Sequence, residues 1–259
     1  MSDFQRNAWG RTAVGGATTS AVVDQGLRSY MLSVYNYMSL GLAITGFAAI
    51  GAFMLAVTSD PASAVATARG MHLTQFGYAL FASPLKWVVM LAPLGMVFFL
   101  SARLHKMSPA SGQIAFYVFA GLMGLSLSSI FLVYTGASIA RVFFITAAAF
   151  GALSLWGYTT KRDLSGMGTF LIMGLFGIVI ASLVNIFIGS TMVQFVVSVV
   201  GVLVFSGLTA YDTQRIKESY YGGYDGDTLS RSAIMGALSL YLNFINLFTM
   251  LLSLFGNRE

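Results

Sequence analysis

The chain has 259 residues, of which 57% are hydrophobic and only 9% are charged, and its mean hydropathy is +0.78. Soluble globular domains do not have this composition, so the sequence predicts an integral membrane protein. The net charge of +5 does not indicate nucleic-acid binding, because the basic residues lie singly at helix ends, and the absence of cysteine excludes disulfides and thiolate metal sites.

The first 28 residues are polar and rich in Ser, Thr, Gly and Ala. They contain no apolar core after a basic start, and this argues against a cleavable signal peptide. We expect residues 1–28 to form a flexible cytoplasmic tail and residues 29–259 to form a single transmembrane domain.

Apolar runs near or beyond 18 residues recur along the rest of the chain, and each can cross about 30 Å of hydrocarbon as a helix. The runs lack the period-two alternation of a membrane barrel, so the predicted fold is all-α, a bundle of seven transmembrane helices. The predicted spans are residues 31–57, 84–104, 113–135, 139–159, 167–189, 191–214 and 232–255.

Two connections between spans have distinctive sequences. The longest runs from Thr58 to Ser83, and its alanine-rich middle predicts a short helix at the membrane surface. Only Gly189, Ser190 and Thr191 separate the fifth and sixth spans, a spacing that predicts a tight helical hairpin.

Small residues dot the spans, and we interpret them as points of close helix packing. They are Gly41, Gly46, Gly51, Ala147, Gly151, Gly174 and Gly177.

The distribution of basic residues predicts the orientation of the bundle. Ten Lys and Arg residues lie on the side of the N-terminus, and four lie on the other side: Arg69, Lys86, Arg141 and Arg258. Because positive charge favours the cytoplasmic side, we expect a cytoplasmic N-terminus and, with seven spans, a C-terminus outside.

Asp212 is the one acidic residue, of nine, that adjoins a long apolar run. A charge there costs several kcal/mol unless it is paired or hydrated, so Asp212 is a candidate functional residue. The second and sixth spans both run toward the cytoplasm and end at similar depth. This geometry predicts that Arg103, at the end of the second span, is the partner of Asp212.

The last span carries a polar stripe made of Ser239, Asn243, Asn246 and Ser253, whose spacings of four, three and seven place them on one helical face. Hydrogen bonding between helices explains such a face, and so does the lining of a pore. Both interpretations stay open at this point.

Other chemistry has little support in the sequence. Asp225 and Asp227, in the loop before the last span, are a weak candidate for a divalent-cation site, because an EF-hand loop needs more ligands and a terminal Glu. The only histidines, His72 and His105, lie in different connections, and motifs of metalloproteases, serine hydrolases and phosphate-binding loops are missing. We expect neither an enzyme nor a resident cofactor.

Two segments carry a family resemblance: Ala210-Tyr-Asp-Thr-Gln-Arg-Ile216 and Ala237-Leu-Ser-Leu-Tyr-Leu-Asn-Phe-Ile-Asn-Leu-Phe248. With them, the chain resembles the bacterial branch of the Bax inhibitor family from about residue 30 to residue 256. The resemblance implies a seven-helix bundle whose last helix is surrounded by the other six, and a pH-sensitive calcium leak. It also implies a latch of two aspartates that share a proton, with an arginine of the second span able to engage the first.

Asp212 matches the first aspartate of that latch and Arg103 is the best match for the arginine, but Asn243 stands where the second aspartate is expected. Two adjacent carboxylates titrate near neutrality, whereas an aspartate beside an asparagine has only a neutral hydrogen-bond partner. The proton-sharing latch is therefore not expected here in the family's form.

The function that this resemblance implies is slow passage of cations, calcium foremost, through the lipid bilayer of a bacterial inner membrane, with Asp212, Asn243, Arg103, Asn246 and Ser239 along the pathway. One alternative is a regulator that binds a membrane protease or another membrane protein. Another is a secondary transporter, weakly supported by the hairpin between spans five and six and by Pro93.

Overall fold

The structure, a computed structural model, describes residues 3–258, with side chains from Gln25 to Arg258. Seven long helices make up most of the described chain, and each is long and apolar enough to cross a membrane. We number them α1 (Asp3–Ala56), α2 (Leu85–Arg103), α3 (Pro109–Leu127), α4 (Gly136–Thr159), α5 (Ser165–Ile188), α6 (Thr191–Glu218) and α7 (Gly226–Phe255). The predicted all-α bundle and its seven spans are confirmed.

The predicted flexible tail, residues 1–28, lies mostly outside the part of the chain whose side chains are described. The backbone of α1 is helical from Asp3, and the stretch of α1 suited to cross a membrane is Gln25–Ala56. We call the side of the bundle with the α2–α3, α4–α5 and α6–α7 connections the N-terminal side, and the opposite side the C-terminal side.

The connection between α1 and α2 folds differently from the prediction. Its strands β1 (Val57–Thr58), β2 (Ala66–Ala68) and β3 (Met71–Leu73) form an antiparallel sheet in the order β1-β3-β2. The predicted surface helix is wrong there, because Arg69 and Gly70 adopt positive φ angles of 49° and 81° and close a two-residue hairpin. Two positive φ angles are what such a hairpin turn requires.

The predicted tight hairpin between α5 and α6 is confirmed. Gly189 ends α5 in the left-handed conformation with φ 67°, which glycine adopts without a steric penalty. The Ser190 hydroxyl then caps α6 by accepting a hydrogen bond from the backbone N–H of Val193 at 3.3 Å.

Helix α7 is the most buried of the seven: 56% of its most apolar stretch is buried, against 11 to 33% for the others. It packs against α1, α3, α4 and α6, whereas α2 packs mainly on α3 and α5 mainly on α6. The expectation that all six other helices surround α7 is therefore not confirmed, although α7 forms much of the core.

Two aromatic residues fix the rotation of α7 about its axis. Tyr241 packs between Phe116 and Phe119 of α3, with ring centroids 5.8 and 5.3 Å away, and its hydroxyl lies 2.6 Å from the Thr45 hydroxyl of α1. Phe244 packs on aromatic rings of α4. Because Asn243 lies about 200° around the helix from Tyr241, this packing turns Asn243 toward α6.

Candidate functional site

Asp212 is buried between α6 and α7, with only 6% of its surface exposed. Its Oδ2 accepts hydrogen bonds from the Asn243 amide at 2.7 Å and from the Ser239 hydroxyl at 2.9 Å. Its Oδ1 forms an ion pair with the Arg215 guanidinium at 2.9 Å. Three donors therefore compensate the charge, and α6 and α7 are joined through one carboxylate.

The partner of Asp212 is Arg215, not Arg103 as predicted. Arg215 lies one helical turn after Asp212 on α6, with about half of its side chain exposed, and its guanidinium lies 5.6 Å from the centre of the Tyr211 ring. Arg103 is exposed at the end of α2, and no described ion pair joins it to Asp212.

The prediction about depth was sound, but the predicted side chain was wrong. Ser101 and His105, four residues apart on the chain, line the same cavity as Arg215 and Ser239. Arg103 lies two residues from each of them, about 200° around the helix, and therefore faces away from the cavity.

The polar stripe of α7 forms the interhelical hydrogen bonds that one of its two interpretations predicted. Ser239 and Asn243 bond to Asp212 near one end of α6, and near its other end Ser253 accepts a hydrogen bond from the Ser198 hydroxyl at 3.1 Å. Asn246, between these points, instead donates to the Leu242 carbonyl of its own helix at 2.8 Å.

The face of α6 turned away from α7 is fixed by polar contacts that the sequence did not lead us to expect. The Thr213 hydroxyl lies 2.9 Å from the Ser154 hydroxyl of α4, which in turn bonds to the Tyr35 hydroxyl of α1. The Gln214 side chain accepts from the Leu164 N–H at 2.8 Å and so holds the α4–α5 connection. These contacts hold the end of α6 and thereby the position of Asp212.

A cavity of about 450 Å³ opens on the N-terminal side of the seam between α6 and α7. Arg215 and Ser239, both bonded to Asp212, line it, and Leu242 is its deepest lining residue on α7. The carboxylate therefore lies beside this cavity, with the half-exposed arginine between the carboxylate and the opening.

A second cavity, of about 460 Å³, opens on the same seam from the C-terminal side. Gln194 and Ser198 line it on α6, and Thr249, Met250 and Ser253 line it on α7. Its walls are thus partly polar at membrane depth, where polar groups usually mark helix contacts or ion pathways.

The two cavities do not meet. Their nearest lining residues on α7 are Leu242 and Thr249, seven residues or about 10 Å apart along the helix. In this interval Met250 packs on Gly201, where an added Cβ would lie 2.9 Å from the Met250 side chain. The seam is therefore closed at its centre and open at both ends.

Asp225 and Asp227 lie at the N-terminus of α7, where Asp225 occupies the cap position. The Thr228 side chain holds the pKa of the Asp225 carboxyl below its ordinary value. Carboxylates there are stabilised by the helix dipole, which disfavours a cation. No cluster of three or more His, Cys, Asp or Glu suited to a metal occurs among the residues with described side chains, so the pair serves to begin α7.

Comparison with known proteins identifies the family. The model of the family described as "Inhibitor of apoptosis-promoting Bax1" matches residues 27–259. The chain therefore belongs to the Bax inhibitor family. Its relatives include the inner membrane protein YbhL of Escherichia coli, 46% identical over 90% of this chain and 94% of YbhL. Uncharacterized proteins of Rickettsia prowazekii (46% identical, 91% of this chain and 92% of the relative) and Caulobacter vibrioides (44% identical, all of both chains) are also similar.

For this member of the Bax inhibitor family, the structure brings together three of the five residues predicted for the pathway: Asp212, Asn243 and Ser239. Asn246 lies further along the same stripe, and Arg103 is outside the site. The residue that was missed, Arg215, could have been found from its spacing, since an acid and a base three residues apart on a helix are neighbours.

Proposed function

We propose that the chain is a multi-pass protein of the bacterial inner membrane that lets cations, calcium foremost, leak across the bilayer along the α6–α7 seam. Family membership, seven apolar helices and the similarity to an inner membrane protein support the location. The observation that carries the proposal is a buried carboxylate beside one of two cavities that enter the same seam from opposite sides.

The chemistry of Asp212 suits a calcium pathway. Carboxylate, hydroxyl and amide oxygens are ligands for Ca²⁺, and Asp212, Ser239 and Asn243 carry such oxygens within hydrogen-bond distance of one another. In this closed arrangement the guanidinium of Arg215 occupies the place of a cation. Opening then requires Arg215 to swing into its cavity and the central 10 Å or so of the seam to widen.

The control of the leak differs from a latch of two aspartates. Asn243 donates a hydrogen bond to Asp212 and cannot share a proton with it as a second carboxylate would. In our proposal, the balance between Arg215 and the incoming cation at a single carboxylate therefore controls the leak.

Calcium entry into liposomes containing the purified protein tests the proposal. Wild type should admit calcium slowly, Arg215→Gln should admit it several times faster, and Asp212→Asn should admit less. Asp163→Asn is the matched control, because it removes an exposed carboxylate in the α4–α5 connection and should leave the rate unchanged.

Other outcomes would refute the leak. Saturable exchange between calcium inside and outside would indicate a secondary transporter. No flux from wild type or Arg215→Gln would favour a regulator that acts by binding a membrane protease or another membrane protein. Equal flux in all four proteins would separate the transport from Asp212.

A further inference from the structure

The largest cavity among the described residues is a groove between α1 and α4, with a volume of about 1000 Å³. It forms because α1 packs mainly on α3 and α7, and α4 mainly on α6 and α7, so the two helices flank α7 without closing over it. Phe244 of α7 lies in the groove, one residue after Asn243. The groove therefore opens sideways to the bilayer and reaches the most buried helix.

Small residues keep this groove open. Gly46 on α1 and Gly151 on α4 line it, and a Cβ added to either would meet nothing within 4 Å. Close packing, the interpretation made from the sequence, holds instead at Gly41, 2.9 Å from Phe116, and at Gly174, 2.9 Å from Val204. At Gly46 and Gly151 that interpretation is wrong, because the absent side chains leave space.

The dimensions of the groove suit a lipid chain. Its α1 wall runs from Arg28 to Ile50, 22 residues or about 33 Å, close to the thickness of a hydrocarbon core. About 1000 Å³ over that length gives a mean cross-section of about 30 Å², too narrow for a helix about 10 Å in diameter.

The charge at one end of the groove favours an anionic headgroup. Arg28 is exposed at the N-terminal side and is the only charged residue among the described lining residues. A second cation is near, because the Lys217 ammonium donates to the carbonyl of the lining residue Tyr158 at 2.8 Å. The rest of the lining is predominantly apolar, so the groove matches an amphiphile with an anionic head and a long tail.

We propose that the α1–α4 groove is a binding site for an anionic phospholipid of the leaflet on the N-terminal side. One acyl chain lies along Gly46 and Gly151 against Phe244, and the headgroup phosphate bonds to the Arg28 guanidinium, whose planar fork suits phosphate oxygens. This site does not depend on the proposed leak, because it rests on the shape and charge of a different face of α7.

Lipid binding to the purified full-length protein in mild detergent tests the site. Phosphatidylglycerol and phosphatidylcholine with the same chains are added separately, and the bound lipid is counted by native mass spectrometry, with the thermal midpoint measured in parallel. Wild type should retain phosphatidylglycerol several times better than phosphatidylcholine. Arg28→Gln should lose this preference, and Arg103→Gln, which removes an exposed cation outside the groove, should keep it.

A second pair of variants tests the place of the acyl chain. Gly151→Phe fills the groove and should lose most of either lipid, whereas Gly177→Phe adds the same ring at an exposed, uncrowded position of α5 and should retain both. If Gly151→Phe does not fold, Gly46→Leu tests the opposite wall.

Each contrary result overturns a defined part of the proposal. Equal retention of the two lipids by wild type, or an unchanged preference in Arg28→Gln, would remove the anionic headgroup site. Undiminished lipid in the groove-filling variants would place the lipid elsewhere. Loss of a dimer in those variants, with lipid retained, would assign the groove to a second copy of the chain.

Discussion

Replacing Asn243 with aspartate should convert the site into a proton-sharing pair. The Asn243 amide nitrogen lies 2.7 Å from Asp212 Oδ2, so the Asn243→Asp carboxylate meets another carboxylate at hydrogen-bond distance. Two charges about 4 Å apart repel by about 4 kcal/mol at an effective dielectric constant of about 20. That energy corresponds to an increase of about a thousandfold in the affinity of the pair for one proton, since about 1.36 kcal/mol is a factor of ten. Arg215 offsets only part of it, because its side chain is half exposed and screened by solvent.

The bound proton gives the sign of the expected pH dependence. In the unfolded Asn243→Asp chain both carboxylates are ionised above about pH 5, while the folded pair retains a proton at higher pH. The folded state then binds more protons than the unfolded state, so stability falls as the pH rises through this interval. The thermal midpoint of Asn243→Asp, relative to wild type, should therefore decrease between about pH 5 and 8.

Two further variants isolate the pair from a general effect of added charge. Asn246→Asp adds the same group one turn away, where the native amide bonds to its own helix rather than to Asp212, so it should not show the decrease. Asp212→Asn combined with Asn243→Asp restores a single carboxylate and should remove it. If Asn243→Asp and Asn246→Asp have the same pH dependence, Asn243 does not face Asp212 as described. In liposomes, calcium entry through Asn243→Asp should gain a pH response that wild type lacks.

The other predictions concern the ion pair, the orientation and the packing. In double-mutant cycles with Asp212→Asn, Arg215→Ala should show a coupling of about 1 kcal/mol and Arg103→Ala about none; additive effects for both would count against the ion pair. Reporter fusions should place the N-terminus in the cytoplasm and the C-terminus outside; both termini on one side would contradict the seven-span topology. Gly157→Ala should lower stability by about 1–3 kcal/mol, because its Cβ would lie 2.3 Å from a carbonyl oxygen of α6, and an unchanged thermal midpoint would show that the helices separate easily. The lowered pKa of Asp225 stabilises the fold above its ordinary value, and this contribution is lost as the pH falls through the lowered one, so Asp225→Asn should lower the thermal midpoint at pH 7 but not at pH 3.

The ion pair shows how far reasoning from the sequence could go. It found Asp212, because a carboxylate at the end of an apolar run is visible in any hydropathy profile. It also found that α2 and α6 end at a common depth, because antiparallel spans alternate in direction. It chose Arg103 over Arg215, because the depth of a residue says nothing about which way its helix is turned.

The small residues show the same limit in packing. Gly41 and Gly46 are both glycines of α1, yet one meets an aromatic ring of α3 and the other lines an open groove. Nothing within the helix distinguishes them, since the difference depends on which neighbours lie across from each face.

The sequence by itself determined the class of the protein, the number of its spans and the position of its one deeply placed acid. These follow from local properties, the length of apolar runs and the cost of charge in hydrocarbon, that each segment carries wherever it packs. Only the tertiary structure decided the partners of Asp212, the closed centre of the α6–α7 seam and the groove beside α7. Those depend on the rotation of each helix, which contacts such as Tyr241 against Phe116 and Phe119 fix between residues more than 100 positions apart in the chain.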